Sequence, residues 1–160
     1  MQSVISCRLW MVVACAACGS DARVQGDYTI ALTNRDNGCN FTNWTVGRQA
    51  DVPVRITQND GAVTADVQGL AAVYLDLLVG DHVYRGSIAG DDLALDIQGT
   101  VGHAIGNCVF TYNSTFEAQA NGDTMSGRIE YRAATNNQPD CGAITNCLTF
   151  QEWNGTRPPP

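Results

Sequence analysis

From Tyr28 onward, apolar side chains recur at every second position, the period of a strand with one dry face and one wet face. The clearest stretch is Thr124 to Ala133, where Met125, Gly127, Ile129, Tyr131 and Ala133 alternate with Thr124, Ser126, Arg128, Glu130 and Arg132. A matching stretch sets Phe110, Tyr112, Ser114, Phe116 and Ala118 against Thr111, Asn113, Thr115, Glu117 and Gln119. Between the two lies Asn121-Gly122, the favoured pair for a type I′ hairpin turn. The plan repeats around Asn59-Asp60-Gly61, with Val54 and Ile56 before it and Val63, Ala65 and Val67 after. It repeats again around Gly90-Asp91-Asp92, with Tyr84 and Ile88 before and Leu93, Leu95 and Ile97 after.

With Tyr28 to Thr33, Phe41 to Val46, Val73 to Val79 and Leu148 to Trp153 added, the pattern predicts an all-β chain of eight to ten antiparallel strands and no helix. One-faced strands need a second layer or closure. Consecutive hairpins close most simply into an up-and-down barrel, with a two-sheet sandwich as the alternative. A strict meander assigns each connection to a pole. The three long ones, at about 34–43, 99–107 and 134–146, fall together at one mouth and contain or border Cys39, Cys108, Cys141 and Cys147. The chain start near Tyr28, the Asn121-Gly122 hairpin and the Pro158-Pro159-Pro160 tail fall at the base.

Ahead of the alternating region the sequence changes character. Residues 1–18 read as one cation, Arg8, then an apolar run from Leu9, then small residues and cysteine, which is an export signal. Val12-Val13-Ala14-Cys15 and Ala16-Ala17-Cys18-Gly19-Ser20 each resemble the lipobox of bacterial lipoproteins. The resemblance implies a diacylglycerated Cys18, with Cys15 as the other candidate, and an envelope protein held to a membrane through its N-terminal lipid, the outer membrane before the inner. The expected organisation is a signal over 1–18, a tether over 19–27, one barrel domain over 28–157 and a tail over 158–160. The apolar run is too short to span a bilayer. The C-x-x-C spacing of Cys15 and Cys18 falls at the processing site and carries no redox or zinc reading.

An even number of cysteines in the exported body predicts two disulfides. The short separation of Cys141 and Cys147 favours a local bridge there, leaving Cys39 to Cys108 as a long-range staple. Of the charged residues, all nine bases are Arg; removing Arg8 with the leader leaves eight against 16 carboxylates, a net charge near −8. Such a body repels phosphate backbones, so nucleic acid is excluded as a partner.

A meander with an early Trp44 and a late Arg157 is similar to the calycins, the lipocalin and avidin-like barrels, over most of residues 26–157. That resemblance implies a ligand at the barrel mouth. Aromatic residues are the lead: Phe41, Trp44, Tyr112 and Trp153, joined by His103 in a long mouth connection. The small inward residues Gly86, Ser114, Ala118 and Gly127 leave room for a pocket. Catalytic chemistry is not legible. His82 and His103 have no Ser, Cys or Asp at a catalytic spacing, and Asp91-Asp92 sits in a turn where Asp is favoured anyway. Arg35-Asp36-Asn37-Gly38 and Asn59-Asp60-Gly61 lack the closing bidentate Glu of a calcium loop. The four Asn-x-Thr sequons, at Asn40, Asn43, Asn113 and Asn154, read as chance matches in an Asn- and Thr-rich β protein. No cofactor, no metal and no enzyme activity are expected. The expected role is non-enzymatic: binding of a small apolar molecule or of another envelope component at the mouth, with a filled barrel acting as a structural or protein-interaction module as the alternative.

Overall fold

The computed structural model describes residues 20–158. The two lipobox cysteines and the leader lie outside the described residues. Nine strands follow in chain order: β1 (Gly26–Asn37), β2 (Gln49–Asn59), β3 (Ala62–Val67), β4 (Val83–Ala89), β5 (Asp92–Ile97), β6 (His103–Ile105), β7 (Cys108–Asn121), β8 (Thr124–Thr135) and β9 (Leu148–Thr156). One helix, α1 (Leu70–Leu78), interrupts them between β3 and β4. Neighbouring strands are antiparallel throughout. β9 lies between β1 and β8, and β5 pairs with β7 from Asp92↔Gln119 to Ile97↔Ser114, closing an eight-strand barrel. β6 is the extra strand, paired with the top of β7 from His103↔Phe110 to Ile105↔Cys108. The up-and-down barrel is thus the observed fold.

The two-residue alternation does what the pattern requires. Tyr28, Ile30 and Leu32 of β1, Val52, Val54 and Ile56 of β2, and Leu93, Leu95 and Ile97 of β5 are all buried, while their neighbours face outward. The outer wall is polar; across β1, β9 and β8 it carries the ion pairs Arg35–Glu152 (2.7 Å) and Arg132–Glu130 (2.8 Å).

Two expected strands are not strands. Residues 70–79, Leu-Ala-Ala-Val-Tyr-Leu-Asp-Leu-Leu-Val, are apolar except at Asp76, so periods of two and of 3.6 both find matches there. The residues turned inward are Ala71, Leu75, Leu78 and Val79, spaced i, i+4, i+7 and i+8, and the segment is helix rather than the strand read over Val73 to Val79. Leu and Ala favour that outcome, and left-handed glycines bound it, Gly69 (φ 69°) before and Gly80 (φ 100°) after. Phe41 to Val46 is a string of turns. Asn37 clamps it by accepting from the Phe41 N–H (2.8 Å) and donating to the Phe41 carbonyl (2.9 Å). β1 accordingly runs to Asn37, past the expected end at Thr33.

The four sulfurs do gather at one pole, but their pairing differs from the expected one. The bridges are Cys39–Cys147 (Cα–Cα 4.9 Å) and Cys108–Cys141 (Cα–Cα 5.0 Å). The reason is closure of the barrel. Cys39 follows β1 and Cys147 precedes β9, which are neighbours with Asn37 opposite Thr149, so residues far apart in sequence sit side by side. Cys141 lies in a 3₁₀ turn (Pro139–Cys141) that folds across the start of β7, fixed by the Asn107 N–H donating to Asp140 (2.7 Å).

At the base, the described residues before β1 pack against the barrel. Val24 is buried, its N–H donates to Gln58 (2.8 Å), and the Ala22 N–H donates to the Gly90 carbonyl (2.7 Å). Arg157 closes the same end by donating to the Gln25 carbonyl (2.7 Å) and pairing with Asp123. Trp44 is at the opposite pole, so the early Trp and late Arg of the calycin resemblance do not meet.

Candidate functional site

The disulfide pole is built by four connections: 38–48, 68–82 with α1, 98–107 with β6, and 136–147. Below it sits a small core of its own, Phe110, Tyr112 and Ile144 with the four cysteines, to which Phe41 and Leu78 connect the main barrel core.

Of the five aromatic and histidine residues singled out as ligand contacts, four come together here, and they contact one another. Phe41 is the hub. Its ring centroid lies 4.9 Å from Tyr112, 5.9 Å from Trp44 and 5.7 Å from Tyr131, edge to face in each case, a geometry that adds roughly 0.5–1.5 kcal/mol per pair beyond area burial. Trp44 donates its indole N–H to the Arg35 carbonyl (2.8 Å), which fixes the loop over the mouth. His103 stacks on Phe110 at 5.4 Å, and its Nε2 lies 3.0 Å from the Leu78 carbonyl, tying β6 to the end of α1. Burial pushes the Tyr112 hydroxyl above the usual phenol range. Trp153 is elsewhere, in mid-barrel against Phe116 at 4.6 Å, with its indole N–H buried and lacking an acceptor.

The small residues expected to leave room for a pocket are used otherwise, and Gly86 is exposed. A methyl group at Gly86 would meet the backbone of β5, with Leu95 Cα at 2.9 Å, and one at Gly127 would meet β7, with Ala118 Cα at 2.8 Å. These glycines let adjacent strands approach closely. Ser114 is filled by a hydrogen bond between its Oγ and the Tyr84 hydroxyl (2.8 Å), and its Oγ also donates to the Glu130 carbonyl (3.1 Å). Two hollows are open surface features, about 630 Å³ at the base rim beside Asn121 and Thr124 and about 420 Å³ on the outer wall beside Arg35 and Glu152.

What the pole does expose is apolar surface. Among the described residues the exposed large hydrophobics are Leu70 (69%), Val73 (51%), Tyr74 (59%) and Leu77 (68%) on α1, Val46 in the first connection, and Ile105 and Val109 on the β6–β7 hairpin. All seven lie at the disulfide pole and none at the base. Sequence reasoning missed the helical four because it read their segment as a strand. The signal was present, since Leu70, Val73, Tyr74 and Leu77 stand at i, i+3, i+4 and i+7.

Beside α1 sits a cluster of ionisable groups. His82 Nδ1 lies 2.8 Å from Asp76 on the helix, and its Nε2 lies 3.8 Å from Asp66 on β3. The hydrogen bond to Asp76 is the main cause that holds the His82 pKa above the ordinary histidine value. Burial alone would raise the Asp81 pKa, but N–H donation from Val83 and His82 and the Arg85 guanidinium (2.7 Å) hold it below the usual carboxylate range. Among the described residues no group of three His, Cys, Asp or Glu side chains is placed to hold a metal ion, and no helix is long and apolar enough to cross a membrane. No family model, curated protein or solved structure matches the chain.

Proposed function

We propose that this protein is an exported, non-enzymatic recognition domain that works through the outer surface of its disulfide pole, with the filled barrel as a rigid mount. One observation carries the reading: every exposed large hydrophobic among the described residues lies at that pole, while the wall and base are polar. Large apolar side chains exposed at one end of an otherwise well-covered protein mark that end as an interaction surface. The cluster of aromatic side chains at the mouth supports this reading over carriage of a small apolar molecule, because those rings are spent on one another.

Two disulfides support an oxidising compartment, and on the lipobox reading the chain is anchored through Cys18 or Cys15. Val24 is buried at the base, so six residues from Cys18 give a leash of about 20 Å at most, and the anchor leaves from the end opposite the apolar pole. Palmitate labelling tests the anchor: we expect incorporation that is lost with Cys18→Ala or Cys15→Ala, and absence of label in the parent removes it. For the recognition surface, a photo-reactive residue is placed at Tyr74 or Val109 on the pole and at Asn121 on the base. We expect protein crosslinks in cells from the first two and none from the third; crosslinks from the base alone overturn the reading. A retained apolar molecule in native mass spectrometry would restore the carrier.

A further inference from the structure

We infer that the exposed strip of α1 docks an amphipathic segment of a partner protein that is apolar along one side and basic beside it; the inference rests on the recognition role proposed above. The strip formed by Leu70, Val73, Tyr74 and Leu77 has the spacing by which an amphipathic helix presents anchors to a complementary surface. α1 is therefore apolar on two sides, since Ala71, Leu75 and Leu78 already face the barrel. A surface helix with a polar outer side would need no partner.

Charge selects the occupant. Asp76 stands three residues after Val73, at the edge of the strip, and Asp66 and Asp81 lie beside it; their side chains are 49%, 41% and 36% exposed. Against these three carboxylates stand His82, shared between Asp76 and Asp66, Arg85, paired with Asp81 and opposite a further acid, Asp96, and Arg55, which is opposite Asp66 but paired with Asp27, so acids outnumber bases in the cluster. Of the other charged groups at this pole, Arg35 and Arg48 are bases, Arg35 being paired with Glu152, and Asp36, Asp51 and Asp140 are further acids. A second copy of this chain, itself at net charge −7, meets like charge here, and an anionic bilayer finds no cationic patch to hold it. A segment with Lys or Arg flanking its apolar side satisfies both parts of the surface.

The test uses the exported, disulfide-bonded chain and two synthetic peptides with Leu at i, i+3, i+4 and i+7, one completed with Lys and the other with Glu. Fluorescence anisotropy at physiological salt should show binding of the Leu/Lys peptide and at least tenfold weaker binding of the Leu/Glu peptide. Val73→Asp with Leu77→Asp should weaken the Leu/Lys peptide at least tenfold, whereas mere attraction to an acidic protein would be strengthened by two added carboxylates; strengthening overturns the inference. Leu70→Ser with Tyr74→Ser provides a charge-neutral version, and unchanged near-ultraviolet circular dichroism shows that each variant is folded. Equal binding of both peptides, dimerisation by sedimentation velocity that the substitutions abolish, or binding to phosphatidylcholine/phosphatidylglycerol vesicles would each overturn the proposed partner chemistry. Crosslinks from Tyr74 to a protein in cells would leave the recognition role standing in those cases, and their absence would remove it.

Discussion

Individual side chains at the core and at the helix clasp make this protein's stability depend on pH in two separate windows. Inside the barrel, burial pushes Tyr131 up to about 12 and Tyr84 well above the ordinary phenol value. Their hydroxyls ionise near 10 in the unfolded chain, so the folded state holds these protons longer and stability falls as pH rises from about 10 toward 12. The loss is about 3 kcal/mol for Tyr131 alone. We expect the urea midpoint to drop steeply across that window, and Tyr131→Phe to flatten the drop; a flat profile in the parent would contradict the burial. His82 acts near neutrality. Its folded pKa is raised, so the clasp from α1 to β3 is complete below the unfolded value of about 6.5 and fades as pH rises through the folded one. Nuclear magnetic resonance should place its titration above that value, and Asp76→Asn should bring it down. Neither effect was legible in the sequence, where His82 showed no partner at a catalytic spacing, because Asp66 and Asp76 reach it only once β3 and α1 are packed together.

Among the elements, hairpins and helix differ in how well their periods were legible. The β7–β8 hairpin matches its sequence reading in strands and faces, with Phe116 opposite Ile129, but Asn121 pairs with Thr124, so the turn is Gly122-Asp123 with Gly122 alone left-handed (φ 62°), not the type I′ turn expected at Asn121-Gly122. Alternation there is unbroken and its turn residues are specific. In α1 the alternation is accidental, a consequence of nine apolar residues in ten, and which side is buried was decided by packing against the barrel. The distinction is measurable. Leu75→Ala removes a buried side chain and should cost about 2–5 kcal/mol, while Leu77→Ala removes an exposed one and should stay within about 0.5 kcal/mol. In a strand, residues 75 and 77 would share one face and the two substitutions would cost alike, so comparable losses in a urea titration would refute the helix.

For the whole molecule, the closed barrel makes its two disulfides long-range. Cys39–Cys147 spans 108 residues and Cys108–Cys141 spans 33. In the loop-entropy account these restrict the unfolded chain by about 5 and about 4 kcal/mol respectively. Replacing Cys39 and Cys147 together by Ala should therefore lower the thermal midpoint more than replacing Cys108 and Cys141, by roughly 10 °C or more for the first pair. Peptide mapping checks the pairing directly, and a Cys141–Cys147 peptide would contradict it. The same closure decides the candidate site. It brings Phe41, Trp44, Tyr112 and His103 to one pole, as the meander implied, and then fills the mouth with them, while the surface left open belongs to a helix the pattern did not disclose.

The linear pattern alone determined the all-β class, the order of hairpins, the buried face of each strand and the gathering of four cysteines at one pole. Each follows from local rules, a period of two and the turn residues that reverse it. Tertiary structure decided the cysteine pairing, the helix, the mutual packing of the mouth aromatics and the exposed apolar strip. These depend on which distant segments become neighbours when β5 meets β7 and β9 enters between β1 and β8, and such adjacency has no signature in the spacing of residues along the chain.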